Sequence, residues 1–485
     1  MDKKPLVLIH GALGSANELK ELAELLSQDY SIHNYEIPGH GNRADELAAF
    51  SMEKICLDFS NFLEKIGPSF IFGFSLGGYL ALTVAQKSEK NILGIVTLGT
   101  KFDWSPETAK KETKGLNISF LKSKVPDFYE YLTTLHREHL PDLLTATASF
   151  MLELGNSPAI NEATVKKISI PVRIIRGGKD KMVSKEESVQ IANAIKQGLY
   201  FEIPHFIHPI GYLNKKRVAH MLSVQLASFD YKFLALDDFT IAHHSIEKNS
   251  EYRFIFLHEA LGSIAQWKNF PKKLCDKLNI SGTIIEMKGY GFSSENKAKR
   301  GADYLHRFAL EDLPTILNKL DFKENLILVG HSDGGTNALL FGAKHPDKTV
   351  ALVTMAAHIL NEPETKNGIP PAIKAYEEGK LKGLEVFHGE KTEKLFFDWA
   401  HTWLNDFFSD WNITRDIQNI SIPGLIIQGK DDQYGTDEQV HKIADCFDAK
   451  VEKLFLKECG HAPHLEKQEE ILNKIYNWLQ KEVIS

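Results

Sequence analysis

A ten-residue stretch beginning at Leu6, LVLIHGALGS, returns as FIFLHEALGS at Phe254. Two further landmarks return with it. GFSLG at Gly73 is matched by GHSDG at Gly330, and Ile168-Ser169-Ile170-Pro171 by Ile420-Ser421-Ile422-Pro423. The offsets are 248 residues between His10 and His258, 257 between Ser75 and Ser332, and 252 between the two Ile-Ser-Ile-Pro runs. Landmarks this different in composition keep a near-constant offset when one fold has been built twice, and not when apolar runs coincide by chance. A duplicated fold also suits a length of 485 residues, more than one hydrophobic core organises.

Within each copy, short apolar runs alternate with helical stretches. The runs fall at 6–9, 70–72, 92–98, 172–175 and 199–203, and again at 254–257, 326–329, 351–355, 425–427 and 453–456. Runs this short and apolar are strands buried on both faces, and helices between them make a doubly wound, mostly parallel sheet. Only the second copy has a leading segment, 232–235 and 241–244 around Asp237-Asp238, which reads as a hairpin. The first sheet is therefore expected to be shorter at one edge. The boundary falls near Asp230, giving domains 1–230 and 231–485. No Gly/Ser-rich or Pro-rich linker separates them, so they are expected to pack closely.

Composition narrows the class without naming the chemistry. Hydrophobic residues make up 43% and charged residues 25%, with a net charge of -7. No apolar run approaches the roughly 18 to 20 residues that span a bilayer, and the run 5–9 is too short for a signal peptide. Cys56, Cys275, Cys446 and Cys459 show neither CxxC spacing nor the density of a disulfide scaffold. No basic cluster points to nucleic acid. The expectation is a cytoplasmic protein with no membrane or nucleic-acid partner.

The two GxSxG runs carry the chemistry. A serine hydroxyl attacks only when a base takes its proton and the developing oxyanion is stabilised. A sharp strand-to-helix turn exposes the oxygen and sets the next backbone N–H, that of Leu76 or Asp333, at a helix N-terminus. The flanking glycines make room for the turn. In this architecture the acid follows the serine and the histidine comes last. Counting nine residues from each Ile-Ser-Ile-Pro proline reaches Asp180 and Asp432, which selects Asp432 over Asp431. One strand later come His208 and His461, 28 and 29 residues beyond their acids. His205 competes with His208; aligning Leu213-Asn214-Lys215 with Leu465-Glu466-Lys467 favours His208.

With these residues in hand, both halves resemble α/β-hydrolases over nearly their whole length. HEALGS, KGYGFSS, GHSDGG, QGKDDQYGT and GHAPH make the second half similar to the proline iminopeptidases and C–C bond hydrolases. HGALGS, IPGHG, GFSLGGYLAL and LGTKFDWSPE make the first similar to general esterases and menaquinone-pathway synthases. The resemblance implies two tandem α/β-hydrolase domains with the triads Ser75/Asp180/His208 and Ser332/Asp432/His461. It implies that Ala12 and Ala260 supply the second oxyanion N–H beside Leu76 and Asp333. It also implies that the segments 101–167 and 358–419 are helical caps. The second half departs in carrying Glu259 where many relatives have glycine.

Other residues read as structural. Asp103 is expected to cap the helix starting near Ser105-Pro106, His40 and Tyr290 to form surface turns, and His331 to pack behind the elbow. His464 lies three residues from His461 but lacks a third ligand nearby, so no metal site is expected. In the second cap Phe396, Trp399 and Trp403 share one helical face, which packs the cap down and lines an apolar acyl pocket. The function expected is serine hydrolysis of a small carboxylic ester, thioester or lactone, with a small-molecule acyl substrate and no cofactor. Two alternatives stand beside it: a C–C hydrolase or lyase using the same triad for proton abstraction, and a first domain that serves only for binding or packing.

Overall fold

The computed structural model describes residues 3–484. Its contacts divide the chain into two compact units, one ending at Phe229 and the next beginning at Asp230. The first unit is built on six strands: β1 (Lys4–Ile9), β2 (Tyr30–Tyr35), β3 (Ser69–Phe74), β4 (Ile92–Leu98), β5 (Val172–Gly177) and β6 (Gly198–Ile203). They lie in the order β2-β1-β3-β4-β5-β6, every pairing parallel. β1, β3 and β4 are almost wholly buried, with Val7, Ile9, Ile71 and Ile95 at 0% exposure, because helices cover both faces.

The second unit repeats this frame with β9 (Tyr252–Leu257), β10 (Ser281–Ile285), β11 (Asn325–His331), β12 (Thr349–Met355), β13 (Gly424–Gly429) and β14 (Val451–Leu456). The expected hairpin, β7 (Lys232–Ala235) and β8 (Thr240–Ile246), extends the sheet beyond β10 by antiparallel pairing. The order is thus β14-β13-β12-β11-β9-β10-β8-β7, eight strands against six. Two strands escaped the sequence reading. β2 is a half-buried edge strand of sequence YSIHNY, whose polar residues hide it; β10, SGTII, is short and opens on Ser-Gly.

Both caps leave the sheet after corresponding strands, β4 and β12. The first holds the helices Pro106–Thr113, Ile118–Lys124, Pro126–His136 and Leu140–Asn156; the second holds Pro363–Glu377 and Thr392–Leu404. Ser105, not Asp103, is the cap of the first of these helices: its hydroxyl accepts from the Thr108 N–H, while Asp103 accepts from the Thr108 hydroxyl. Proline at the next position already fixes the helical φ, so the nearer oxygen serves. Among the described residues no helix is long and apolar enough to cross a membrane.

Candidate active site

The two elbows superimpose in conformation. Ser75 sits at φ 50, ψ -114 and Ser332 at φ 52, ψ -119, a region side-chain-bearing residues rarely occupy. Each is held by its own N–H donating to the end of the neighbouring strand, Ser75 to Leu98 O and Ser332 to Met355 O, both at 2.9 Å. The helix that follows presses against the first strand. A Cβ on Gly77 would lie 2.6 Å from Ile9 O, and one on Gly334 2.0 Å from Leu257 O, so glycine is required at both.

In the second unit the side chains meet as a relay. His461 Nε2 lies 3.0 Å from Ser332 Oγ, and its Nδ1 lies 3.0 and 2.9 Å from the two oxygens of Asp432. Asp432 also accepts from the Tyr434 N–H and the Gln428 amide. Burial would raise its pKa, but the charge of His461 and these donors hold it below the usual carboxylate range. Asp431 beside it is exposed. In the first unit His208 Nδ1 lies 2.8 Å from Asp180, which also accepts from Met182 N–H and Val183 N–H. Burial pushes Asp180 up, while the bond from His208 and these N–H groups bring it below its ordinary value. His205 is exposed. Among the described residues Ser75 Oγ makes no hydrogen bond to His208, though both line one cavity of about 40 Å³ with Ala12 and Leu76.

The cavity over Ser332 is larger, about 110 Å³, and is lined by Ala260, Asp333, His358, Trp399, Trp403 and His461. Trp403 donates its indole N–H to Tyr304 Oη, and Tyr304 donates to Asp333 Oδ2, so the wall is tied to the residue after Ser332. Phe396, on the same helical face by sequence, is elsewhere. It stacks on Tyr376 at 4.2 Å, fully buried, because one turn before Trp399 this helix packs against the Pro363–Glu377 helix and not over the cavity.

The loops carrying Ala12 and Ala260 are fixed from two sides. His10 and His258 each donate Nδ1–H to the following carbonyl and accept at Nε2 from Ile37 N–H or Met287 N–H. Burial holds His258 near 4, in the neutral form this pattern needs. On the other side stand two cap histidines that the sequence reading missed. His136 accepts from Gly41 N–H at 3.2 Å and donates to Leu13 O at 2.8 Å. His388 accepts from Gly291 N–H at 3.1 Å and donates to Leu261 O at 3.0 Å. Leu13 and Leu261 directly follow the alanines, so each cap grips the loop after β1 or β9 through one neutral imidazole. A signal existed: His-x-Glu occurs at His136 and His388, 252 residues apart, the spacing of the Ile-Ser-Ile-Pro pair. His40 and Tyr290, expected on surface turns, are buried at 0% and 5% because the caps cover them.

One feature has no equivalent in the first unit. His331 Nδ1 lies 2.7 Å from Glu259 Oε2, and His331 Nε2 donates to His461 O at 2.6 Å. Both ring nitrogens face acceptors, which suits an imidazolium. Burial would lower His331, but Glu259 raises it; Glu259, whose side chain is 26% exposed, is in turn held far below the carboxylate range by His331. The counterparts in the first unit are Gly11 and Phe74, an apolar contact in which the Phe74 ring lies 5.5 Å from His208.

Family models match the chain in tandem: that of the serine aminopeptidases, S33, over residues 2–211, and that of the alpha/beta hydrolase fold over residues 252–381. The chain is a tandem of two α/β-hydrolases. Among curated relatives of this tandem, the 2-hydroxy-6-oxo-6-(2'-aminophenyl)hexa-2,4-dienoic acid hydrolase of Metapseudomonas resinovorans is 20% identical over 238 residues, 45% of this chain and 80% of that one. The human serine hydrolase BPHL is 29% identical over 34% of this chain. The pimeloyl-[acyl-carrier protein] methyl ester esterase of Aliivibrio fischeri is 28% identical over 25% of it. The chain spans only 57% and 47% of the last two. Among solved structures, proline iminopeptidase from Mycobacterium smegmatis aligns at 16% identity and a TM-score of 0.41, covering 52% of the tandem and 98% of that chain.

Proposed function

We propose that the tandem hydrolase cleaves small carboxylic esters, thioesters or lactones at two serine sites of separate specificity. The observation that carries this reading is His461, within hydrogen-bond reach of both Ser332 Oγ and Asp432. Ser332 attacks the acyl carbon as His461 Nε2 takes its proton, and Asp432 stabilises the imidazolium. The N–H groups of Ala260 and Asp333 receive the oxyanion. His461 then protonates the leaving group, and the same base directs water onto the acyl-enzyme. In the first unit Ser75, His208 and Asp180 act alike once Ser75 rotates onto His208; such bonds often close only around substrate. No step draws on a metal or an organic cofactor, and the substrate is a small acyl compound. The test is hydrolysis of a short p-nitrophenyl ester by a Ser75→Ala, Ser332→Ala double variant. Loss of turnover is expected; retention contradicts the reading.

A further inference from the structure

The position 26 residues beyond each nucleophile lines its cavity, and it differs in charge: Lys101 in the first unit, His358 in the second. Two of the hydrogen bonds around it are matched between the units. Lys101 Nζ donates to Met182 O at 3.0 Å and His358 Nε2 donates to Tyr434 O at 3.0 Å, each acceptor lying two residues past the triad acid. The next backbone N–H, Phe102 or Ile359, donates to Glu187 in the first unit and to Gln439 in the second. The pair Lys101/Glu187 has thus become His358/Gln439, an ionic pair replaced by a neutral one.

Glu187 does not use up the lysine charge. Its oxygens already accept from Phe102, Asp103 and Ser184 N–H groups at 2.6 to 2.7 Å, while Lys101 Nζ stands off at 3.7 Å. One ammonium N–H goes to Met182 O, which leaves donor capacity for a group in the cavity; the Lys101 side chain is only 12% exposed, so its charge is poorly screened. The second cavity is the reverse. Burial keeps His358 neutral, near 4. No Lys or Arg is among the described residues lining that cavity, and Asp333 stands where the first unit has Leu76.

Resting on the reading of Ser75 as a nucleophile, we infer that the first unit takes acyl groups bearing a carboxylate, bound by Lys101 beside Ser75, and that the second unit disfavours them. The substrate class of the first site is the half-ester, or equivalent monoacyl derivative, of a short dicarboxylic acid.

The test uses the full chain in a Ser332→Ala background, so that turnover reports Ser75. The ratio of kcat/KM for mono-p-nitrophenyl succinate to that for p-nitrophenyl butyrate is measured with and without Lys101→His, the residue the second unit itself carries. The ratio is expected to fall about tenfold or more, the worth of a charge-assisted hydrogen bond. An unchanged ratio overturns the inference. Binding separates this outcome from failure of the hydrolase reading: glutarate should bind the Ser75→Ala, Ser332→Ala protein in calorimetry, weaken with salt, and be lost in Lys101→His. If neither ester turns over but glutarate binds in this way, the hydrolase reading falls and the anion site stands. If esters turn over and glutarate binding ignores Lys101, the anion site falls alone.

Discussion

The elbows of the two units agree within a few degrees, yet only in the second do serine, histidine and aspartate join in one hydrogen-bonded chain. The second unit has Glu259 in the loop after β9 and His331 just before Ser332, and His331 bonds at once to Glu259 and to the carbonyl of His461. The first unit has Gly11 and Phe74 there. His331 thus joins the Glu259 and His461 loops at the end of β11 in one copy, where the other has an apolar contact between Gly11 and Phe74. The elbow itself is set by backbone constraints both copies share. On the proposed function, one polar bridge holds the side chains of the second unit in register, and one further position, Lys101 or His358, selects the acyl group.

The widest separation between the copies should come from the nucleophiles. Ser332→Ala is expected to cost the second unit's preferred ester about 10⁴- to 10⁶-fold in kcat, with the first unit's substrate unaffected, measured by steady-state kinetics on each. Asp432→Asn should follow at about 10⁴-fold, since it supports the wrong imidazole tautomer. Comparable losses on both substrates from either change would break the claim of separate sites.

The cap histidines come next, and they test what the copies share. His388→Phe removes both the acceptor for Gly291 N–H and the donor to Leu261 O. It should lower kcat about 10- to 100-fold, less than outright loss of an oxyanion donor, with KM little changed. A boronic acid that mimics the tetrahedral state should lose affinity in parallel, and a ground-state analogue should not. His388→Gln, able to restore one of the bonds, should recover part of the loss. Equal weakening of both analogues would mean that the histidine only seats the cap.

These histidines also mark the limit of what the sequence disclosed. Duplication, strand alternation, both elbows and the placing of Asp432, rather than Asp431, against His461 were legible because each depends on local pattern or on register between copies. His136 and His388 sit in unremarkable cap segments, and their meaning lies in contacts 95 to 127 residues away. Phe396 was placed at the pocket by helical spacing alone, which fixes a shared face but not how far along the helix the cavity extends. The edge strand β2 was missed because its polar residues lack the apolar signature of its buried neighbours, and the interior strand β10 because, though buried, it is short and opens on Ser-Gly. Nor does any local rule announce that Glu259 and His331, 72 residues apart, will pair.

The bridge itself should give the smallest effect on stability and a distinctive pH signature. His331 is raised and Glu259 lowered, so their contribution is present above the ordinary carboxylate value and complete below the ordinary imidazole value, about 4.3 to 6.5. It declines as pH rises through the elevated His331 value, and again as pH falls through the depressed Glu259 value. The destabilisation of Glu259→Gln, about 1 to 3 kcal/mol for a buried charged partner, should therefore be largest near pH 5 to 6 and shrink above neutrality, read by denaturant melts across pH.

The most direct measurement is the rate at which a fluorophosphonate labels the two serines of the intact chain, resolved by peptide mass spectrometry, with His331→Phe alongside. A closed and an open triad predict that Ser332 labels faster than Ser75 and that His331→Phe slows Ser332 toward the Ser75 rate. Equal rates in the native chain, or a Ser332 rate indifferent to His331, would contradict the account.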